Sequence, residues 1–367
     1  MTDKGLNKLR EKVTLTDGKI VKLLNRRAGL SREIGRIKAE QGLAIYDPSQ
    51  EAKVYDSLAA VHEGTLPESA LMAIYREILS ASRALQAPIT VACLGPEASF
   101  SHLAVRSHFG VKTPISLQKT IYQVFDAVER GKTDWGVVPV ENSLEGAVNL
   151  TLDRLISTPL QICGEIFLPI HYCLLSAGCC IDRIGKVYSH PQALAQCQKW
   201  LRDHLPRAEL IEMESTAAAA AMMRGNPDGA AVGSRMAADV YGLNILADDI
   251  EDHPSNTTRF LIMGMGKGGQ HTDSDKTSLI FGTSHAPGAL YEALKPFAER
   301  GVNLLKIASY PAKHSGRDRL AAWEYLFFAD AEGHEQDEKI RACLEELGAM
   351  TIFLKILGSY PHGRGIS

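Results

Sequence analysis

The sequence predicts a multidomain protein. An all-α N-terminal segment precedes a two-lobed α/β segment and a C-terminal α+β unit of ferredoxin-like (βαββαβ) order. Three observations carry that reading. Apolar residues recur at seven-residue spacing from Leu6 to Ile37, and no proline intervenes before Pro48. Strand-like and helical runs then alternate over residues 88–266. Residues 276–361 read strand, helix, strand, strand, helix, strand. A chain of 367 residues is expected to form two or three domains, and the composition shifts place them at 1–87, 88–266 and 274–367.

The first segment follows from its spacing. Leu6, Val13, Ile20, Arg27 and Ile34 form one row, with Leu9, Thr16, Leu23, Leu30 and Ile37 between them. Together they describe a helix of roughly 33 residues, about 50 Å long. A unit of about 80 residues cannot cover so long a helix, so a second copy of the chain is expected, giving an intertwined homodimer or a homotetramer built from it. Asp47 as N-cap and Pro48 as first helical residue open a second helix. "PESALMAIYREILSASRALQ" supplies a third.

After the break "APIT", the runs "TVACLG", "SHLAVRSHFG", "WGVVPV", "LDRLIS", "HYCLLS", "LAQCQKWLRDHL", "GAAVGS" and "FLIMG" argue for layered lobes around a cleft. "GMGKGGQHTDSDKTS" reads as a linker. Within it, Gly264 to Gly269 formally match G-x-G-x-x-G, but no helix follows to receive a pyrophosphate, which argues against dinucleotide binding.

Composition narrows the function classes. Hydrophobic content of 45% with 23% charged residues is that of a soluble globular protein. A net charge of −3 gives no reason to expect nucleic acid or an anionic membrane surface as partner. No 18-residue apolar run is present, and the start "MTDKGLNKLREKV" has no apolar core of a signal peptide, so a cytoplasmic protein is expected. Seven cysteines include no Cys-x-x-Cys pair and read as buried reduced thiols. Twelve scattered histidines show no ligand spacing, so neither a metal nor another cofactor is expected.

Several residues stand out against this background. Arg27 occupies a seam position where an apolar residue belongs, which fits either a register-setting polar residue or a ligand-binding cation. Lys38, eleven residues on, shares its face about 16 Å away. The pair is suited to opposite ends of a small dianion. Arg10 lies about 25 Å from Arg27 and joins such a site only from an antiparallel partner helix. Ser82 and Gln86 are i, i+4 neighbours. "SNTTRF" admits three readings: a glycosylation sequon, a turn opening a strand, or a reactive Thr258–Arg259 pair. A cytoplasmic chain removes the first.

The stretches "LREKV…LLNRRAGLSREIGRIK…YDPSQEAKV…IYREILSASRALQ" resemble the all-helical chorismate mutases. "LGPEASFSHLA", "VVPVENSLEGAVN", "YSHPQALAQC", "MESTAAAA" and "NTTRF", in that order, resemble prephenate dehydratases. "GALYEAL" and "WEYLFFAD" resemble ACT regulatory domains. The combined resemblance is to the bifunctional chorismate mutase–prephenate dehydratases of phenylalanine biosynthesis. It implies chorismate and prephenate as substrates, L-phenylalanine as a possible effector, and no cofactor.

By that resemblance, Arg27 and a partner chain's Arg10 hold the carboxylates of chorismate. Lys38 and Gln86 face the ether oxygen, and Asp47, Glu51 and Ser82 orient neighbouring groups. Gln50 stands where the family usually has arginine, and it also fits a capping box with Asp47. The resemblance makes Thr258 the hydrogen-bond donor to the departing hydroxyl and Arg259 a candidate carboxylate anchor, followed by Phe260 in the Thr-Arg-Phe motif. It makes Glu141, Asn142, Ser143, Ser99, Ser101, Ser215 and Thr216 pocket residues, each of which also reads as a turn residue. His190 before Pro191 is as easily structural.

An effector site is implied at Gly288-Ala289-Leu290 and at Ser309 and Pro311. There the family's Glu-Ser-Arg-Pro reads Ala308-Ser309-Tyr310-Pro311, so weakened phenylalanine control or a different effector is expected. The alternatives are a dehydratase with a weakened mutase segment, or a non-catalytic amino-acid sensor, which would form no phenylpyruvate from prephenate.

Overall fold

The computed structural model describes residues 3–266, 270–272, 274–311 and 325–363. Lys267 to Gly269 of the G-x-G-x-x-G stretch, and Trp323 and Glu324 of "WEYLFFAD", lie outside them. Contacts divide the chain into two compact units: Met1–Asp47, Gly64–Ile89 and Phe109–Pro114 in one, and Pro48–Glu63, Thr90–His108 and Ile115–Ser367 in the other.

In the first unit α1 (Asp3–Glu40) runs 38 residues, longer than the spacing alone suggested, and packs against α3 (Glu68–Gln86). Gly35 permits that approach, because a Cβ there would lie 2.9 Å from the Gln86 Cα. Arg83, 4% exposed, donates to the Phe109 carbonyl at 2.8 Å, with its guanidinium over the Tyr46 and Phe109 rings. The apolar row of α1 remains exposed, with Leu9 at 60% and Leu23 at 64%.

The second unit begins with α2 (Pro48–Val61), whose first residue is the expected proline. A first lobe follows: β1 (Val91–Leu94), α4 (Phe100–Phe109), β2 (Ile115–Gln118), α5 (Ile121–Glu129), β3 (Trp135–Asn142), β4 (Gly146–Ala147), α6 (Asn149–Ser157) and β5 (Gln161–Pro169). The chain crosses into a second lobe through β6 (Cys173–Ser176), β7 (Lys186–Ser189), α7 (Pro191–Gln196), α8 (Gln198–His204) and β8 (Glu209–Glu212). The lobe is completed by α9 (Thr216–Met222), β9 (Gly229–Gly233), α10 (Arg235–Tyr241) and β10 (Asn244–Ala247). It then returns as β11 (Thr257–Gly264), inserted antiparallel between β3 and β5.

The sheets are ordered β2-β1-β3-β11-β5, with β4 on β3, and β10-β6-β9-β7-β8. A central strand is covered on both faces, which accounts for the unbroken buried run from Arg259 to Gly264. The two crossings are bonded to each other, Ile170 N to Asn256 O at 2.8 Å and Ile250 N to Tyr172 O at 2.9 Å.

The C-terminal part comprises β12 (Asp275–Gly282), α11 (Ala289–Glu299), β13 (Leu304–Pro311), β14 (Tyr325–Glu332), α12 (Glu338–Met350) and β15 (Phe353–Pro361). Its antiparallel sheet runs β13-β14-β12-β15, the predicted ferredoxin-like arrangement. One face buries Leu279, Phe281 and Phe327 under Phe297, Cys343 and Leu347 of the two helices. The other face contributes Ile280, Tyr310, Leu326, Phe328 and Leu357 to a core shared with Val138, Val140, Leu155, Leu261 and Met263 of the first lobe. Helix α2 lies against β15. Among the described residues no helix is long and apolar enough to cross a membrane.

Candidate functional site

Thr258 is the second residue of β11, just after the chain re-enters the first lobe, and its rung partner on β3 is Asn142. Asn142 Oδ1 accepts from the backbone N–H groups of Leu144 and Glu145 at 3.0 and 3.1 Å. The other end of the amide is therefore the NH₂. Its Nδ2 donates to Thr258 Oγ1 at 2.9 Å and to Asn256 Oδ1 at 2.7 Å. Because Thr258 Oγ1 accepts there, its own hydrogen is not used in that bond. Asn256, 2% exposed, passes the polarity on: its Nδ2 donates to Gln196 Oε1 at 2.8 Å, and Gln196 Nε2 reaches Glu145 Oε1 at 3.4 Å. Gln196 comes from α7 of the second lobe, so this chain of amides links both lobes behind one hydroxyl.

Asn256 and Gln196 are missing from the sequence expectation. Asn256 stands in "SNTTRF", where the sequence singles out only Thr258 and Arg259; its burial and bonds make it a structural amide. Gln196 lies in "YSHPQALAQC", but 60 residues separate it from Asn256 and nothing in the chain marks their contact.

The remaining sequence candidates divide by what they touch. Ser143 Oγ accepts from Thr257 N at 3.0 Å and so fixes the entry to β11. Ser99 Oγ donates to Leu94 O at 2.9 Å and accepts from His102 N, while Ser101 is buried in α4. Ser215 is the N-cap of α9, accepting from Ala218 N, and Thr216 is that helix's first residue. His190 caps α7 through Gln192 N. Loop residues of the first lobe are tied to the second by Ser234 Oγ to Ala98 O at 3.1 Å and Tyr241 OH to Glu97 O at 2.9 Å.

Arg259 and Glu141 correct the expectation of a cleft position. Adjacent strand residues point to opposite faces, so Arg259 faces away from Thr258. It is 5% exposed and bonded to Glu165 and Asp330, each at 2.7 Å, and to the Tyr360 hydroxyl at 3.0 Å. All three guanidinium nitrogens are engaged in this buried cluster, on the face opposite Thr258. Glu141, its rung partner beside an irregularity in the β3–β11 register, pairs with Lys306 of β13. Phe260 returns to the Thr258 side but is 1% exposed, a core residue beneath the site.

Burial pushes the Cys93 and Cys163 thiols up to about 12, which removes them as nucleophiles at neutral pH. All seven cysteines are free; Cys179 and Cys180 are exposed, contrary to the expectation of buried thiols throughout. His171, Asp249 and Glu251 come together at the lobe crossings with ligand atoms within 4.8 Å of one another, a grouping the scattered histidines did not suggest.

In the helical unit Arg27 Nη1 donates to Ser82 Oγ, and Ser82 donates to Ile78 O at 2.7 Å. Lys38 Nζ donates to Ile45 O at 2.8 Å. Gln86 Oε1 is buried without a partner among the described residues. Arg10 is exposed and, seventeen residues before Arg27, about 25 Å from it. Asp47 ends the first stretch of this unit, whereas Gln50 and Glu51 stand in the first turn of α2 in the other.

In the C-terminal part Gly288 adopts φ +82, the left-handed region glycine tolerates, and opens α11 with Ala289 and Leu290. These three line a cavity of about 430 Å³ with Thr283, Tyr325 and Phe327. Ser309 and Pro311 pair with Phe327 and Tyr325 across the sheet. Tyr310, on the opposite face, bonds to Asp153 of α6.

The chain thus combines a helical unit bearing Arg27 and Lys38, a two-lobed α/β part with an oriented Thr258 hydroxyl, and a βαββαβ domain, the make-up of a multidomain enzyme. Family models for chorismate mutase type II, prephenate dehydratase and the ACT domain match residues 9–87, 91–267 and 277–349. The chain is 45% identical over 360 residues to a bifunctional chorismate mutase/prephenate dehydratase of Aquifex aeolicus, covering 97% of this chain and 98% of the relative. A protein of the same description from Neisseria gonorrhoeae is 42% identical over 355 residues, with 96% of each covered. The crystal structure of prephenate dehydratase from Arthrobacter aurescens in complex with L-Phe superposes with a TM-score of 0.68 at 33% identity, over 75% of this chain and 90% of that one. The chain belongs to the bifunctional chorismate mutase/prephenate dehydratase family.

Proposed function

We propose that the chain converts chorismate to phenylpyruvate in two reactions of L-phenylalanine biosynthesis, with Thr258 as the hydrogen-bond donor of the second. The observation that carries this reading is the fixed amide orientation of Asn142, which makes Thr258 Oγ1 an acceptor and leaves its hydrogen to be given away.

In the first reaction a pericyclic rearrangement asks only for the compact conformer of a dicarboxylate and stabilisation of charge on the breaking ether oxygen. Arg27 holds one carboxylate and Arg10 of a second copy the other, while Lys38 and Gln86 meet the ether oxygen. Asp47, Gln50, Glu51 and Ser82 complete the surroundings. The exposed apolar row of α1 supports a homodimer, or a tetramer of such pairs, that buries it.

In the second reaction the bond from the ring to its carboxylate breaks and carbon dioxide leaves. The electron pair moves through the ring, and the opposite C–O bond breaks. The departing oxygen leaves as hydroxide, stabilised by a hydrogen bond from the Thr258 hydroxyl, and becomes water by taking a proton from solvent, so that Thr258 keeps its own. Arg259 has no part in binding the substrate in this scheme; its role lies behind the strand. The cavity at Gly288 to Leu290 suits a small aromatic amino acid such as L-phenylalanine, with Tyr310 in place of the family's arginine weakening that control. The protein acts in the cytoplasm.

The test is to assay both reactions separately in the full chain, with and without phenylalanine. Thr258→Ala should lower phenylpyruvate formation from prephenate by about 10³-fold and leave chorismate rearrangement unchanged. Loss of both activities, or of neither, contradicts the assignment.

A further inference from the structure

Two ionic contacts from the C-terminal sheet arrive on a single rung of the dehydratase sheet. Thr258 pairs with Asn142, and the next rung pairs Arg259 with Glu141. Glu141 is bonded to Lys306 of β13. Arg259 enters a closed cluster built from five strands: its own β11, β5 with Glu165, β12 with Lys276 and Ser278, β14 with Asp330, and β15 with Tyr360. Two cations meet two carboxylates, and all four side chains are at most 5% exposed. Arg259 donates to Glu165, to Asp330 and, at 3.0 Å, to the Tyr360 oxygen. Ser278 gives its proton to Asp330 and therefore accepts from Tyr360 at 2.6 Å. Lys276 closes the other side on Glu165 at 2.6 Å.

Such a cluster is a poor way to gain stability, because desolvating four charges offsets most of their attraction, and apolar residues of the same volume do as well. It is directional, however. Each bond fixes the rotation of the Arg259 side chain, and Arg259 shares its backbone with Thr258. The shared apolar core beside it would hold the two sheets together without any charge.

We propose that Asp330 and Tyr360 of the C-terminal sheet are positioning residues of the dehydration, holding the Thr258–Asn142 rung in its donating geometry through Arg259. This rests on the assignment of Thr258 above. The C-terminal sheet is thereby part of the dehydratase machinery, and whatever shifts that sheet shifts the donor. Neither residue touches substrate; a slackened rung misaims a hydroxyl that prephenate still finds.

The experiment measures kcat and KM for prephenate, and the chorismate rate, in the full chain. Asp330→Asn should lower the dehydratase kcat by about 30-fold, and Tyr360→Phe, which removes one hydroxyl, by about 5-fold, with KM within about twofold in both. The chorismate rate should stay unchanged. Tyr360→Phe decides the matter if Asp330→Asn does not fold. A dehydratase kcat within about twofold of the unsubstituted chain overturns the proposal. So does a rise in KM at constant kcat, or a parallel loss of the chorismate rate, which would reduce the cluster to fold maintenance. An unsubstituted chain that forms no phenylpyruvate defeats the dehydratase assignment itself, a separate and recognisable failure.

Discussion

The dehydratase cleft and the helical unit hold their functional groups in opposite ways. Around Thr258 the chain supplies its own supports: backbone N–H groups fix Asn142, Asn142 fixes Thr258 and Asn256, and Gln196 reaches in from the other lobe. In the helical unit Gln86 Oε1 lacks a partner, Arg10 is a long way from Arg27, and an apolar row faces outward. The proposed dehydratase site draws its supports from a single chain. The proposed mutase site draws on two, and the difference predicts that the two activities respond differently to anything that separates or mixes chains.

The sharpest way to break that contrast is complementation. Arg10→Ala and Arg27→Ala, each alone, should lower chorismate rearrangement by about 10³-fold, since each removes a cation that meets the substrate's charge. Mixed and re-equilibrated, half the dimers are hetero-pairs with one intact site of two, so about one quarter of the activity should return. The dehydratase rate should not change in any of these samples. If the mixture stays as inactive as its components, the helical site is not shared between chains.

A smaller effect is expected behind the cleft. Asn142→Ala leaves Thr258 in place but frees its hydroxyl to rotate, and misorientation of this kind costs about 10²-fold in kcat. Chorismate rearrangement serves as the internal control. An unchanged kcat would mean that Thr258 is aimed by the substrate rather than by the protein.

The legible and illegible parts of this molecule separate on physical grounds. The long helix was readable because a seven-residue row is a local pattern, and the two lobes and the ferredoxin-like order because strand and helix periods differ. Thr258 is singled out only through its motif, and its role is the proposal made above. The direction of Arg259 was also within reach, since alternation on a strand places it opposite Thr258, yet their adjacency suggested a shared site. Its partners were out of reach: Glu165, Asp330 and Tyr360 lie far apart in the chain and meet only when two sheets stack. Tyr310 illustrates the same limit. Against the family's motif it reads as a lost arginine, and only the fold reveals a hydroxyl bonded to Asp153.

Gln50 gives the smallest and most local prediction. It stands in the first turn of α2, where the family usually carries arginine. Gln50→Arg adds a fork able to make two charge-assisted bonds to a carboxylate, so the KM for chorismate should fall by about 3- to 10-fold. The kcat should stay within about twofold, because a contact made equally in ground and transition state changes binding alone. A cation near a helix N-terminus opposes the macrodipole, so a loss of about 0.3–1 kcal/mol in stability should accompany the gain. Thermal unfolding and chorismate kinetics on the same preparation read both. A KM that does not fall places Gln50 outside the carboxylate's reach.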